Sequence, residues 1–228
     1  MKNKAILAWS GGKDSALALY ELTRLKRMDI AALLTTVTEG YERISMHGVR
    51  RALLVEQAKA LGYPLEEVRI PPQCPNEVYE QRMHRALERY HQAGIARVVF
   101  GDLFLEDVRA YREERLQRIG MRGVFPLWGR NTREAAKQFV QLGFRAVMVC
   151  VDTEALDGAF AGREYDEDFL RDLPGGVDLC GENGEFHTFV YAGPVFRWPI
   201  PFERGKRVMR ENRFYYCDLI SAGTETER

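Results

Sequence analysis

The sequence predicts an α/β protein: a parallel sheet flanked by helices, followed by a smaller C-terminal α/β domain. Three observations carry this expectation. Short apolar runs alternate with stretches of helical periodicity through the first two-thirds of the chain, the pattern of parallel strands joined by crossover helices. A glycine-rich turn, Ser10-Gly11-Gly12-Lys13-Asp14-Ser15, separates the first apolar run from the first helical stretch. Beyond Gly120 the chain becomes richer in glycine and proline, with short β-like pieces. A boundary is therefore expected near there, with one domain over 1–120 and a second over 121–228.

Taken in order, the strand candidates of the parallel series are Lys4–Trp9, Ile30–Val37, Leu65–Ile70, Arg97–Phe100 and Arg145–Val151. The intervening helices are expected over Asp14–Lys26, Val49–Leu61, Asn76–Ala93, Leu105–Ile119 and Thr132–Leu142. Leu54, Ala58 and Leu61 fall on one helical face, as do Met83, Leu87 and Tyr90, and Ala135, Phe139 and Leu142. Gly62, Gly94 and Gly143 each follow a helix, where a left-handed residue ends it well. Asn131, three residues before Glu134, has the spacing of an N-cap. In the C-terminal part, Phe186–Tyr191 and Phe214–Ile220 read as strands, and the polar tail from Ser221 reads as frayed.

Composition narrows the function classes. A chain of 228 residues is long enough for a sizeable core, and 46% hydrophobic with 29% charged residues is ordinary for a soluble globular protein. The 33 basic and 33 acidic residues cancel. Such a chain lacks the global positive field that drives non-specific nucleic-acid binding, so nucleic acid is not an expected partner. The apolar run before the glycines is too short for a signal peptide, and no run approaches the ~20 residues of a membrane span. Cys74, Cys150, Cys180 and Cys217 are scattered, without C-x-x-C or zinc spacing. They read as reduced and buried thiols, which points to the cytoplasm and away from a membrane.

Chemistry concentrates in two segments. In the first, strand–glycine turn–helix is a device for holding phosphate: Gly11 and Gly12 let the backbone approach an anion, and successive N–H groups and the helix N-terminus point at it. Lys13 adds a cation, Ser10 and Ser15 add hydroxyls, and Asp14 offers a hard oxygen for magnesium. In the second, Gly181-Glu182-Asn183-Gly184-Glu185-Phe186-His187-Thr188 packs two carboxylates, a histidine and a hydroxyl between a turn and an apolar run. If this stretch is extended from Glu185, then Glu185 and His187 share a face and Thr188 lies on the other. Such a set can orient an amine or a carboxylate and move protons during acyl transfer.

Loops beyond strand ends supply the remaining candidates, because ligands of open parallel sheets bind there. Thr36 and His47 follow the second strand, and Gly101-Asp102 follows the fourth, where Asp102 is placed for ribose, magnesium, substrate or a helix cap. In Tyr111-Arg112-Glu113-Glu114-Arg115, Arg112 and Arg115 fall three apart on one face. They suit an anionic substrate or a charge-laced solvated helix.

Ser10–Ser15 matches S-G-G-x-D-S, the pyrophosphate loop of the N-type ATP pyrophosphatases. Together with Gly181–Thr188, near the G-E-x-G-E-F-E-T string, the chain resembles the diphthine–ammonia ligase family from about Lys4 to Tyr191. Gly101-Asp102, Tyr111-Arg112-x-Glu114 and Pro126-Leu127-Trp128 also look like family landmarks. His187 stands where eukaryotic and archaeal members carry Glu, which resembles a bacterial branch and implies a substrate other than diphthine. The resemblance implies a HUP-type parallel sheet and an AMP-forming amide ligase that adenylates a carboxylate and passes the acyl group to ammonia or an amine. ATP and Mg2+ are the cofactors so implied. ATP would be held by Ser10, Gly11, Gly12, Lys13, Asp14, Ser15, Thr36, His47, Gly101 and Asp102, and the metal by Asp14. Lys13, Glu182, Glu185, His187 and Thr188 would carry the chemistry. The expected partners are a small-molecule carboxylate and an amine, with a homodimer allowed. Two alternatives stand beside this: a tRNA-modifying enzyme with the same loop, and an ATP-binding module without catalysis.

Overall fold

The computed structural model describes residues 4–26, 28–44 and 48–222. The chain enters a mixed, mostly parallel sheet through β1 (Lys4–Ala8) and returns through α1 (Lys13–Arg24) to β2 (Asp29–Thr38). A short β3 (Arg43–Ile44) pairs antiparallel with the end of β2. Then come α2 (Arg51–Leu61), β4 (Leu65–Ile70), α3 (Asn76–Gln92), β5 (Arg97–Val99), α4 (Glu106–Gln117) and β6 (Arg122–Val124). The parallel strands lie in the order β4-β2-β1-β5-β6. The chain therefore builds outward from β1 on one side and then crosses to β5 on the other. The carboxyl ends of β1 and β5 border this reversal, the place where such sheets open a ligand crevice.

Both faces of the sheet are buried, as the continuous apolar runs of parallel strands require. Leu7, Trp9 and Leu33 point into the larger core with α1 and α2. Ile6, Leu34, Val98 and Phe100 point the other way, toward Leu87 of α3 and Leu116 of α4. The helix ends follow the sequence signals: Gly62 takes φ +78° after α2, and the Asn131 side chain accepts from the Glu134 N–H at 3.2 Å.

A second sheet follows α5 (Thr132–Gln141): β7 (Arg145–Asp152), a short α6 (Glu167–Asp172), β8 (Phe186–Ala192), β9 (Phe202–Arg210) and β10 (Phe214–Ser221). It is antiparallel, in the order β8-β7-β10-β9. The sequence reading placed Arg145–Val151 at the end of the parallel series, but β7 pairs antiparallel with β8 and β10. Its almost wholly buried run, Ala146–Asp152, marks a strand covered on both faces without saying which way its neighbours run. The larger core is continuous between the sheets: Phe139, Val147, Phe186 and Phe189 belong to the same cluster as Leu7 and Leu53. Phe139 stacks on Phe144 with ring centroids 4.7 Å apart. Among the described residues no helix is long and apolar enough to cross a membrane, and Cys74, Cys150, Cys180 and Cys217 are all free thiols.

Candidate functional site

The turn after β1 lies between the two sheets and is fastened from behind. Gly11 takes φ +77°, and its carbonyl accepts from the Val190 N–H of β8 at 2.9 Å. Gln57 of α2, wholly buried, donates to the same carbonyl at 3.0 Å and to the Val190 carbonyl at 2.6 Å. Its oxygen accepts from the Trp9 indole at 2.9 Å. A Cβ on Gly11 would stand 2.8 Å from that oxygen, so left-handed backbone and close approach both demand glycine here. Sequence reasoning missed Gln57. Its signal was one polar side chain on the apolar stripe of Leu54, Ala58 and Leu61.

The front of the loop presents the donors. The Gly12 N–H points to Ser10 Oγ at 3.3 Å, and the Lys13 N–H to Thr188 Oγ1 at 3.1 Å. Ser15 Oγ donates to the Gly12 carbonyl at 2.9 Å and lies 3.2 Å from Ser10 Oγ. Thr188 thus caps the first turn of α1 from the second sheet. Gly101, beyond β5, is where that turn rests: a Cβ there would fall 2.8 Å from the Asp14 carbonyl carbon. Its glycine serves the packing of α1.

Lys13 is 5% exposed, and its Nζ lies 2.8 and 2.9 Å from the two Asp14 carboxylate oxygens. Burial pushes its pKa down, but the Asp14, Cys180 and Glu182 groups outweigh burial and the net shift is upward, so the ammonium keeps its proton. Around it stand more carboxyl groups. Glu182 Oε1 accepts from the Leu103 N–H at 2.7 Å, which joins the C-terminal turn to the loop after β5. Burial lifts the Glu182 carboxyl to about 7 against that N–H, with the Asp14 charge adding to the rise. Asp102 is also raised, first by burial and then by Asp14, against the pull of Arg112 at 3.2 Å. Asp14, Asp102 and Glu182 therefore feel one another across a single crevice beside Lys13.

The rest of the Glu182–Thr188 segment divides its labour. Both Glu185 oxygens are engaged within the turn, by the Asp178 N–H at 3.0 Å and by the Asn183 backbone and side-chain N–H groups at 3.0 and 2.9 Å. Glu185 shapes the turn that presents Glu182, and its carboxylate does not reach forward with His187. Asp178, also missed from sequence, accepts from the Cys180 N–H at 2.8 Å and finishes the same turn. Burial, with Lys13 nearby, drives His187 down to about 4, so its imidazole is neutral at ordinary pH. Burial raises the Cys180 thiol to about 12, which leaves it protonated and a poor nucleophile. His47 lies outside the described residues.

Thr36, at the end of β2, lines two neighbouring cavities. The larger, about 590 Å³, opens beside Ser10 and runs between the sheet and helices α3 and α4. The smaller, about 450 Å³, shares Thr36 and Tyr79 with it. Among the described residues no three His, Cys, Asp or Glu side chains gather closely enough to hold a metal ion.

Two family models match the chain: diphthamide synthase N-terminal domain over residues 2–123, and diphthamide synthase C-terminal domain over residues 131–221. Curated relatives include the protein of Mus musculus named diphthine–ammonia ligase, 25% identical over 177 residues, or 75% of this chain and 66% of that protein. The Homo sapiens protein of the same name is 24% identical over 169 residues, covering 72% of this chain and 63% of that protein. The chain thus spans a little under two thirds of the length of these relatives.

Proposed function

The chain belongs to the diphthamide synthase family, and from that premise we propose that it is an ATP-dependent, AMP-forming amide ligase acting on a carboxylic acid other than diphthine. The observation that carries the reading is the loop itself: a glycine turn backed by β8 and Gln57, with Lys13 and three interacting carboxyl groups in front of it. The cradle fits a triphosphate, since a Cβ on Gly12 would stand beside the Ser10 and Thr188 hydroxyls, where the anion would enter. The Ser10 and Thr188 hydroxyls are neutral acceptors that an anion displaces from the Gly12 and Lys13 N–H groups. Thr36 and the strand ends receive the nucleoside, and Asp102 its ribose side. A magnesium ion would arrive on the phosphates, with Asp14 as its protein contact, since the described residues assemble no cluster of three metal ligands.

In the first step a carboxylate oxygen of the acceptor bonds to the α-phosphorus, and the bond to the β-bridging oxygen breaks. Pyrophosphate leaves with the electron pair, its charge held by Lys13 and the loop donors. In the second, ammonia or an amine bonds to the acyl carbon and AMP leaves. The proton released from nitrogen passes to Glu182, a carboxyl group poised near 7. Glu185 positions Glu182, and neutral His187 lines the approach of the amine. Incubation with ATP, ammonium and a panel of carboxylic acids is expected to release AMP and pyrophosphate in equal amounts. Release of ADP and phosphate instead overturns the mechanism.

A further inference from the structure

The nucleotide reading uses only one end of the larger cavity, where Ser10 and Thr36 stand. The other end runs as an open cleft beneath α3 and α4. Val98 and Phe100 of the sheet form its floor, and Leu87 and Leu116 its apolar walls. A concave, mostly apolar cleft with a few placed polar groups is the usual form of a small-molecule site.

The polar lining at this end mixes Glu77, Glu80 and His84 of α3 with the guanidinium groups of α4. Arg112 and Arg115 face the same cavity from successive turns of α4. Arg112 is anchored to Asp102 at 3.2 Å, and its guanidinium lies 4.3 Å from the centre of the Phe100 ring. Arg115 reaches Glu80 of α3 at 2.7 Å and lies 5.1 Å from the Tyr111 ring. Its Nε is buried and has no hydrogen-bond partner. A guanidinium holds its five N–H groups in a rigid fork, so that Nε is a donor of fixed direction with no acceptor. Carboxylate is the group whose two oxygens match such a fork. A carboxylate locked on Arg115 is not free to attack phosphorus, so the group held there must be a second one.

We propose that this cavity binds the acceptor, and that the acceptor is an acid with an apolar body between two anionic ends. One carboxylate lies at the Ser10 mouth, and the other anionic group lies on Arg115. The inference rests on the ligase reading and names its substrate class.

Octanedioate is a suitable probe, titrated by calorimetry into the full chain with and without α,β-methylene-ATP. Octanedioate is expected to bind at least tenfold tighter than octanoate. Arg115→Gln should remove that advantage while leaving the analogue's affinity within twofold. Leu87→Trp, which fills the cavity, should abolish octanedioate binding and spare the analogue. The proposal falls if octanedioate does not bind, if Arg115→Gln binds it as well as the unmodified protein does, or if adenosine displaces it. Should the analogue itself fail to bind, the ligase reading falls alone. The nucleotide-free titration of the protein and of Arg115→Gln then still decides what the cavity holds.

Discussion

The two faces of the first sheet are built from the same strands and do opposite things. On one, Leu7, Trp9 and Leu33 meet α1, α2 and, beyond them, the second sheet in a continuous core that backs the phosphate loop. On the other, Leu34, Val98 and Phe100 meet α3 and α4 across a cavity of about 590 Å³. Alternation along a strand sends neighbouring residues to these two destinations, so Leu33 is scaffold and Leu34 is pocket floor. The fold keeps its loop rigid by spending one face on packing, and it keeps room for a ligand by leaving the other face incompletely filled.

The contrast is sharpest in stability. Leu53 of α2 is wholly buried on the packed face, and Leu53→Ala is expected to cost about 4 kcal/mol, near the upper end for such truncations. Leu87 borders the cavity and has fewer neighbours to lose, so Leu87→Ala is expected to cost about 2 kcal/mol. Urea midpoints for the two variants test this directly. Equal losses would show that both faces are packed alike, and the division between scaffold and pocket would go.

Next in size is the fastening behind the loop. Gln57→Leu removes a donor to two carbonyls and the acceptor for the Trp9 indole. The Gly11 carbonyl keeps its bond from Val190, but the Trp9 N–H and the Val190 carbonyl are left buried and unmatched. The expected cost is about 2–3 kcal/mol, together with a loss of at least tenfold in affinity for α,β-methylene-ATP. Affinity unchanged at the lower stability would mean that the loop holds its shape without its backing.

What the sequence disclosed divides along the same line of local against distant signal. The loop was legible because strand, glycines and helix sit within a few residues and each has a stereochemical reason. The ends at Gly62 and Asn131 were legible for the same cause. β7 was recognised as a strand, but its direction depends on β8 and β10, dozens of residues away. β9 went unread because it is an edge strand with charged side chains outward, such as Lys206 and Arg207, so no apolar alternation marks it. In the candidate site, the proximity of Glu182 to Leu103, and of Thr188 to Lys13, comes from the docking of one sheet on the other. No spacing in the chain encodes it. Glu185 looked like a second forward-facing acid because sequence shows charge and not where the hydrogen bonds go.

The smallest expected effect has the opposite sign and sits at the crevice between the sheets. Glu182, with its carboxyl raised to about 7, keeps in the folded protein a proton that the unfolded chain loses near its ordinary value of 4.5. Between those values the unfolded state binds fewer protons, so this group subtracts stability as pH rises and subtracts nothing below the window. Glu182→Gln removes the penalty while retaining an oxygen for the Leu103 N–H. Partial exposure and solvent screening reduce the effect, so the variant is expected to melt about 1–3 °C higher at pH 8 and level with the unmodified protein at pH 4. His187, held neutral down to about 4, costs both proteins stability as pH falls from 6.5, and cancels in the comparison. Melting scans across that range, paired with AMP release at pH 8, separate the two roles of Glu182. Higher stability with lost turnover marks a group kept at a cost for chemistry, whereas lower stability at pH 8 would make it a structural tie like Gln57.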